Sequence, residues 1–203
     1  MKRFVIVALA LMALMSCAES GQKKIVSFDD VISMRRSIRD FDASKSVSKA
    51  EVRAVIAAAQ EAPSWTNSQP SRYYVAMSPG KVQAVREVIG DRNKRNTEGA
   101  SALIVSTFVR GLSGFRRGGE PANEVGEGWG AYDNGLSDAH LVLAARAMGF
   151  DTLIMGARDA DALRSIFDIP EEETIMAVIA LGYRASDPER PFRKPLDEIL
   201  KFF

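Results

Sequence analysis

The sequence predicts a single α+β domain, a small central β-sheet flanked by helices, running from about residue 27 to the end of the chain. Three observations carry this. The chain has 203 residues, 46% of them apolar and 26% charged, which suits one substantial core rather than two large ones. Helical and strand patterns alternate along it without an internal repeat. No strand-linked G-x-G-x-x-G opens a helix, so nothing indicates a Rossmann-type unit.

The elements follow in order. Ser27 caps a helix through Asp29, Asp30, Val31 and Ile32, with acids in its first turn and Arg35 and Arg36 near its end, as the helix dipole favours. Ser48-Lys49-Ala50-Glu51 is a capping box, and Val52, Val55, Ile56 and Ala59 follow at helical spacing until Pro63 closes the run. Arg72–Met77 and Ser101–Val109 have strand composition, with a short helix at Lys81–Ile89 between them. Asp133–Met148 predicts a long helix whose stripe is Leu136, Ala139, Leu143 and Ala147. His140 lies on the stripe with Leu136 and Leu143 and is expected to be a packed or interface residue. A strand at Asp151–Met155, a helix at Asp159–Phe167 and a buried strand at Ile175–Tyr183 complete the domain. Between residues 111 and 130, seven of the 15 glycines occur and no hydrophobic period survives, which predicts a lid or mobile loop.

Composition excludes several classes. One cysteine and one histidine supply neither an internal disulfide nor a Cys- or His-based metal centre, so no metal site is expected. A formal net charge of +1 exerts no global pull on nucleic acid, so any bound anion must be held by local basic clusters.

The N-terminus reads as an address. Lys2 and Arg3 precede an unbroken apolar run from Phe4 to Met15, too short to span a bilayer and suited to a signal-peptide core. Leu14-Met15-Ser16-Cys17 resembles a bacterial lipoprotein box. Residues 1–16 are thus expected to be a signal peptide and residues 17–26 a lipidated N-terminus and tether. Cys17 would be the point of membrane attachment for an exported, membrane-anchored lipoprotein on the periplasmic or cell-surface face.

Four clusters can carry chemistry. Arg35-Arg36-Ser37-Ile38-Arg39 sets three guanidinium groups and a hydroxyl where a helix gives way to extended chain, a composition suited to a phosphate or to solvated helix-end charge. Ala62 to Pro70 (APSWTNSQP) offers neutral donors and acceptors between two prolines. Gly149 to Gly156 frames a short strand with glycines, and the tail carries Arg190, Arg193 and Lys194.

In this order the clusters resemble the nitroreductase family of flavin enzymes. The carrying residues are RRSIRDF at 35–41, PSWTNSQP at 63–70, the AAxxMGFDTxxMG run at 144–156, PEEETIMAVIALGY at 170–183 and RKPLDEI at 193–199. The resemblance implies a homodimer of nitroreductase-like α+β fold that binds FMN at two sites in the subunit interface. It implies ping-pong transfer of a hydride from NAD(P)H or another donor to a small electron-poor aromatic acceptor. Arg35, Ser37 and Arg193 would hold the phosphate and ribityl chain, with Arg190 or Lys194 in support. Arg36 would lie beside the ribityl chain. Arg39 would face the pyrimidine edge, where a fixed cation stabilises the negative charge that reduction brings. Pro63, Ser64 and Asn67 would reach in from the partner subunit. Gly156, with Met155 before it, would border the reactive edge, and Asn93 would add a polar contact. No protein side chain is expected to act as a catalytic acid or base. Two positions depart from the family: Ser71 stands where Trp is common, and Met155 where some members carry an acid.

Export and family pull in different directions, because an exported chain does not meet cytoplasmic NAD(P)H. The electron donor therefore stays open. An alternative is an exported flavin-binding lipoprotein of the same fold without reductase turnover.

Overall fold

The computed structural model describes residues 26–203. The expected signal peptide, Cys17 and nearly all of the tether lie outside the described residues.

The helices form where their caps demand. α1 (Phe28–Met34) starts on Ser27, whose hydroxyl accepts the Asp30 N–H at 3.1 Å. α2 (Lys49–Gln60) has the full Ser48–Glu51 capping box. α3 (Pro79–Glu87) is capped by Ser78 and α6 (Ala160–Phe167) by Asp159. α4 (Asp91–Asn96) is a short polar helix that periodicity did not reveal, because six residues without an apolar stripe carry no period. α5 (Gly128–Ala147) begins five residues before the expected Asp133.

The sheet contains β1 (Ser71–Ala76), β2 (Ala102–Val109), β3 (Asp151–Met155) and β4 (Glu173–Gly182) in the order β1-β2-β4-β3, every pairing antiparallel. Its central strands are buried on both faces. Leu103, Val105, Val178 and Ala180 meet Val85 of α3 and Leu163 of α6. The alternate residues Ala102, Ile104, Ile179 and Leu181 meet Val52 and Val55 of α2 and Leu141 and Ala145 of α5. The period of two thus sorts each strand between two helical layers.

α5 does not bury the stripe expected for it. Leu136 and Leu143 are half-buried and Ala139 and Ala147 exposed, with half-buried His140 among them. The face turned inward is Asp133, Asn134, Ser137, Asp138, Leu141, Val142 and Ala145. Its polar half is tolerable because each group has partners. Ser106 Oγ donates to Asp138 at 2.8 Å, Tyr73 Oη donates to Ser137 at 2.8 Å, and Asn134 Nδ2 reaches the Thr107 carbonyl at 3.2 Å. Gly130 lets the helix approach β2, since a Cβ there would lie 2.5 Å from the Phe108 ring.

A second polar knot closes the other end of α5. Asp151, 3% exposed, accepts Arg146 Nη1 on both oxygens at 2.9 Å, and Arg184 Nε and Nη2 at 2.8 and 2.6 Å. Arg184 also donates to the Met34 carbonyl at 3.2 Å. One carboxylate therefore joins the end of α5, the start of β3, the segment after β4 and the end of α1.

Residues 111–127 form a chain of turns instead of an open loop. Gly111 N–H donates to Glu127 at 2.9 Å, Ser113 Oγ to Asp133 at 2.7 Å and Trp129 Nε1 to Asn123 at 2.9 Å. Residues 128–130 belong to α5.

Two predictions follow from these knots. Asp151→Asn, which leaves two guanidinium groups short of a buried partner, is expected to cost about 3 kcal/mol in urea unfolding. Burial pushes the Asp138 carboxyl up to about 6 from 3.8, against the opposing hydrogen bonds of Ser106 and Tyr73. The native state then holds a proton that the unfolded chain releases between those values, so stability falls as pH rises through that window. Relative to Asp138→Asn, the wild type is expected to lose about 2 kcal/mol between pH 4 and pH 7; a pH-independent difference would contradict the assignment.

Candidate functional site

The first half of the site is built on the β3 edge. α1 stops at Met34, and Arg35 is already extended. The chain then runs beside β3: Ser37 bridges Thr152 in parallel register, and Ile38 N–H donates to the Thr152 carbonyl at 3.0 Å. Further on, Phe41 bridges Arg184, and Asp42 N–H donates to the Tyr183 carbonyl at 2.9 Å. Buried Ile38 and Phe41 nail this rib to the core, while the intervening alternation leaves Ser37 and Arg39 exposed.

Arg35 and Arg36 are half-buried, and Arg39 and Arg193 are exposed. None of the four forms an ion pair among the described residues. Their hydrogen bonds are to nearby main-chain carbonyls only: Arg36 to Ser33 and Arg35, Arg39 to Ser37, and Arg193 to Pro191 and Phe192. Arg36 Nε is buried without a partner. Burial holds the Arg35 guanidinium below its usual pKa, and the charges of Arg193 and Arg36 push the same way. The tail thus folds back so that Arg193 acts on Arg35, and the group is a crowd of cations lacking an anion. That is the electrostatic signature of a phosphate-type site. Arg190 and Lys194 are exposed, and Lys194 faces Glu198 at 3.6 Å.

At the C-terminal end of β3, Gly156 is exposed, and a Cβ there would meet nothing within 4 Å. Asn93, on α4, donates to the neighbouring Ala157 carbonyl at 3.4 Å, so the fold brings Asn93 beside Gly156. Met155 does not fit the role expected of it by its side chain, which is 3% exposed and packed in the core. The pleat of β3 turns it inward, leaving only its main chain to face a ligand.

Pro63, Ser64 and Asn67 lie elsewhere. Their loop, with a 3-10 turn at Trp65–Asn67, leads into β1 at the opposite edge of the sheet from β3. It hangs from the first half of α5: Asp133 Oδ2 accepts the Trp65 N–H at 2.9 Å, and Trp65 stacks on Trp129 with centroids 4.8 Å apart. The Arg35 group follows Met34, tied through Asp151 to Arg146 on the last turn of α5. At 1.5 Å per residue, those two anchors on α5 stand roughly 20 Å apart. One protomer therefore does not bring the two halves together.

The loop is also conformationally costly. Thr66, Asn67 and Gln69 have φ of 45°, 59° and 49°, a left-handed region that Asn tolerates and β-branched Thr resists. Ser64 Oγ, accepting the Gln69 N–H at 3.0 Å, and the Ser68–Ser113 hydroxyl pair at 2.7 Å hold it there. Sequence reading missed that Asp133 is the anchor of this loop. It expected Asp133 and Asn134 at the helix start, whereas both sit on the buried face of α5. The absence of any apolar residue at 133, 134, 137 and 138 was the available signal.

Comparison with known proteins agrees with this architecture. The nitroreductase family pattern matches residues 32–183. The protein DrgA of Synechocystis is 27% identical over 84% of this chain and 93% of its own length. The NADH dehydrogenase of Thermus thermophilus is 27% identical over 82% and 91%. A protein from Exiguobacterium sibiricum, solved in complex with FMN, superposes with a TM-score of 0.76 at 22% identity, covering 87% of this chain and 97% of the other. With a match over most of the domain and the same fold in its relatives, the chain belongs to the nitroreductase family.

Proposed function

We propose that the chain is an FMN-dependent oxidoreductase that works as a homodimer. In ping-pong order it would take a hydride from a reduced nicotinamide, or another donor, and pass it to an electron-poor acceptor such as a nitroaromatic or quinone. The observation that carries this reading is the group of Arg35, Arg36 and Arg193, whose charges act on one another and none of which forms an ion pair among the described residues. The FMN complex of the Exiguobacterium protein and the name of the Thermus relative support the cofactor and the donor class.

When bound, FMN supplies the hydride chemistry. The chain's own residues bind, orient and polarise. Arg35 and Arg193 neutralise the phosphate, and its arrival relieves their mutual repulsion. Ser37 and Arg36 hold the ribityl chain. Arg39 gives a positive charge to the pyrimidine edge, favouring the electron-rich state. Asn93 and the main chain at Gly156 border the reactive edge.

Homodimerisation supplies the missing half. Pro63, Ser64 and Asn67 would come from the second copy, a reading that the placement of the two halves at opposite edges of the sheet supports. Exposed apolar surface supports such a contact. Phe28 is 70% exposed, Tyr132 59%, Phe192 82% and Phe202 89%.

Export on a lipidated Cys17 is part of the proposal, supported by the apolar run at 4–15 and the box that ends it. It leaves the donor outside the cytoplasm to be identified. The reading as a flavin carrier without turnover is separated by anaerobic titration of the purified yellow protein with NADH and NADPH. Bleaching of the visible flavin band supports the reductase; bound flavin that neither donor bleaches supports the carrier. Arg35→Ala is expected to weaken FMN binding at least tenfold, since a charge-assisted hydrogen bond contributes about 1.5–3 kcal/mol, and an unchanged affinity would remove the phosphate assignment. Cys17→Ser is expected to abolish labelling by radioactive palmitate and to release the protein from the membrane fraction; retained labelling would place the lipid elsewhere.

A further inference from the structure

Ser113 is buried, 1% exposed, among the turns that join β2 to α5. Two glycines in the left-handed region stand close to it, Gly111 at φ 74° and Gly114 at φ 82°, a conformation that other residues resist. At Gly114 the space is closed as well: a Cβ would lie 2.5 Å from the Gly126 carbonyl oxygen and 2.7 Å from the Trp129 ring. Gly111 N–H is held by Glu127, and the Gly114 carbonyl accepts the Ala122 N–H at 2.8 Å. The segment is thus shaped to set one hydroxyl against the first half of α5.

That hydroxyl has a single proton, and its two contacts fix how the proton is used. Ser113 Oγ donates to Asp133 Oδ2 at 2.7 Å. It also lies 2.7 Å from Ser68 Oγ. With its own proton spent on the carboxylate, Ser113 can only accept there, so Ser68 donates. The same Oδ2 takes the Trp65 N–H at 2.9 Å. The 3-10 turn at Trp65–Asn67 is therefore clamped at both ends onto one carboxylate oxygen, directly at Trp65 and by way of Ser113 at Ser68. Ser64 and Asn67 each stand immediately before a clamped residue. Between the two clamps lie Thr66 and Asn67, whose φ of 45° and 59° persist only under such restraint. A carboxylate at the end of the chain polarises each hydroxyl in turn, so the three groups act as a unit.

We propose that Ser113 is a positioning residue of the flavin site. It relays the Asp133 carboxylate to Ser68 and so keeps the turn in the shape in which Ser64 and Asn67 meet the FMN of the second copy. Its buried hydroxyl acts through Ser68 and Asp133 and not on the cofactor itself. A turn ordered in advance spends none of the binding energy on being ordered, so the relay raises FMN affinity. This role rests on the flavin reading, which gives Ser64 and Asn67 to the cofactor. It also makes the glycine-rich turns at 111–127 part of the apparatus that holds flavin.

Titration of the full-length protein with FMN tests this in Ser113→Ala, Ser68→Ala and the double variant. Each single change is expected to weaken FMN binding roughly fivefold or more, the worth of one net hydrogen bond. The double variant should stay within about twofold of Ser113→Ala, because both hydroxyls belong to one chain and their effects do not multiply. The chain's two tryptophans, Trp65 and Trp129, stack on each other at the clamp. Their emission before FMN is added therefore reports the turn directly, and it should move to longer wavelength in all three variants. Unchanged FMN affinity or unchanged emission in Ser113→Ala, or losses that multiply in the double variant, would overturn the proposal. Should Ser113→Ala fail to fold, Ser68→Ala, which alters the half-buried end of the chain, decides by the same two readouts. Failure of the flavin reading looks different: the unaltered protein would then take up no FMN. Failure of the Ser113 role alone leaves the unaltered protein binding FMN no more tightly than its variants.

Discussion

The Asp151 carboxylate holds together what the rest of the architecture needs. It is buried and takes four charge-assisted hydrogen bonds from Arg146 and Arg184. Each guanidinium comes from a different element, and Arg184 extends the tie to the Met34 carbonyl. The residue after Met34 is Arg35, so the position of the basic group is inherited from this knot. A buried pair of this kind contributes little net stability compared with apolar packing, but its directionality specifies which ends meet. The neighbouring rib from Ser37 to Phe41, hydrogen-bonded to Thr152 and Tyr183, then carries the guanidinium groups along the sheet edge.

α5 shows the same principle on its other half. A helix with aspartate, asparagine and serine facing inward would be unstable alone, because each group loses water. Here β2 supplies Ser106 and Thr107, β1 supplies Ser71 and Tyr73, and the turn before α5 supplies Ser113. The network also pins the strained backbone at Thr66, Asn67 and Gln69. Strain of this sort persists only where surrounding contacts over-determine it, and it gathers at binding loops. With polar residues turned in, the apolar residues Leu136 and Leu143 are left only half-buried.

The two knots sit at opposite ends of one helix, and each positions one half of the proposed flavin site. The length of α5 therefore sets their separation, and a rigid helix cannot be folded to bring them together. On the proposed reading a second copy closes the site. It makes subunit association and cofactor binding parts of one equilibrium on the proposed reading.

Much of the fold was legible in the sequence because it rests on local rules. The caps at Ser27 and Ser48 and the apolar composition of β2 and β4 need only neighbours in the chain, and the elements they predict are there. The basic group at 35–39 was legible as composition, and the family followed from the order of several such pieces. What local rules could not supply was orientation. The apolar stripe of α5 pointed the wrong way because hydrophobicity alone cannot foresee partners for buried polar groups 20 residues or more away. Met155 looked like a ligand neighbour until the pleat of β3 turned it into the core. The glycine-rich stretch at 111–130 showed no hydrophobic period, because its turns are held by hydrogen bonds such as Gly111 N–H to Glu127 and Ser113 to Asp133. The sequence by itself determined the fold class, the family and which residues are chemically equipped to hold an anion. Only the tertiary structure decided that those cations form no ion pair with a carboxylate among the described residues and that the loop at 63–67 leads into the opposite edge of the sheet. Long-range pairing of this kind is a property of the packed chain.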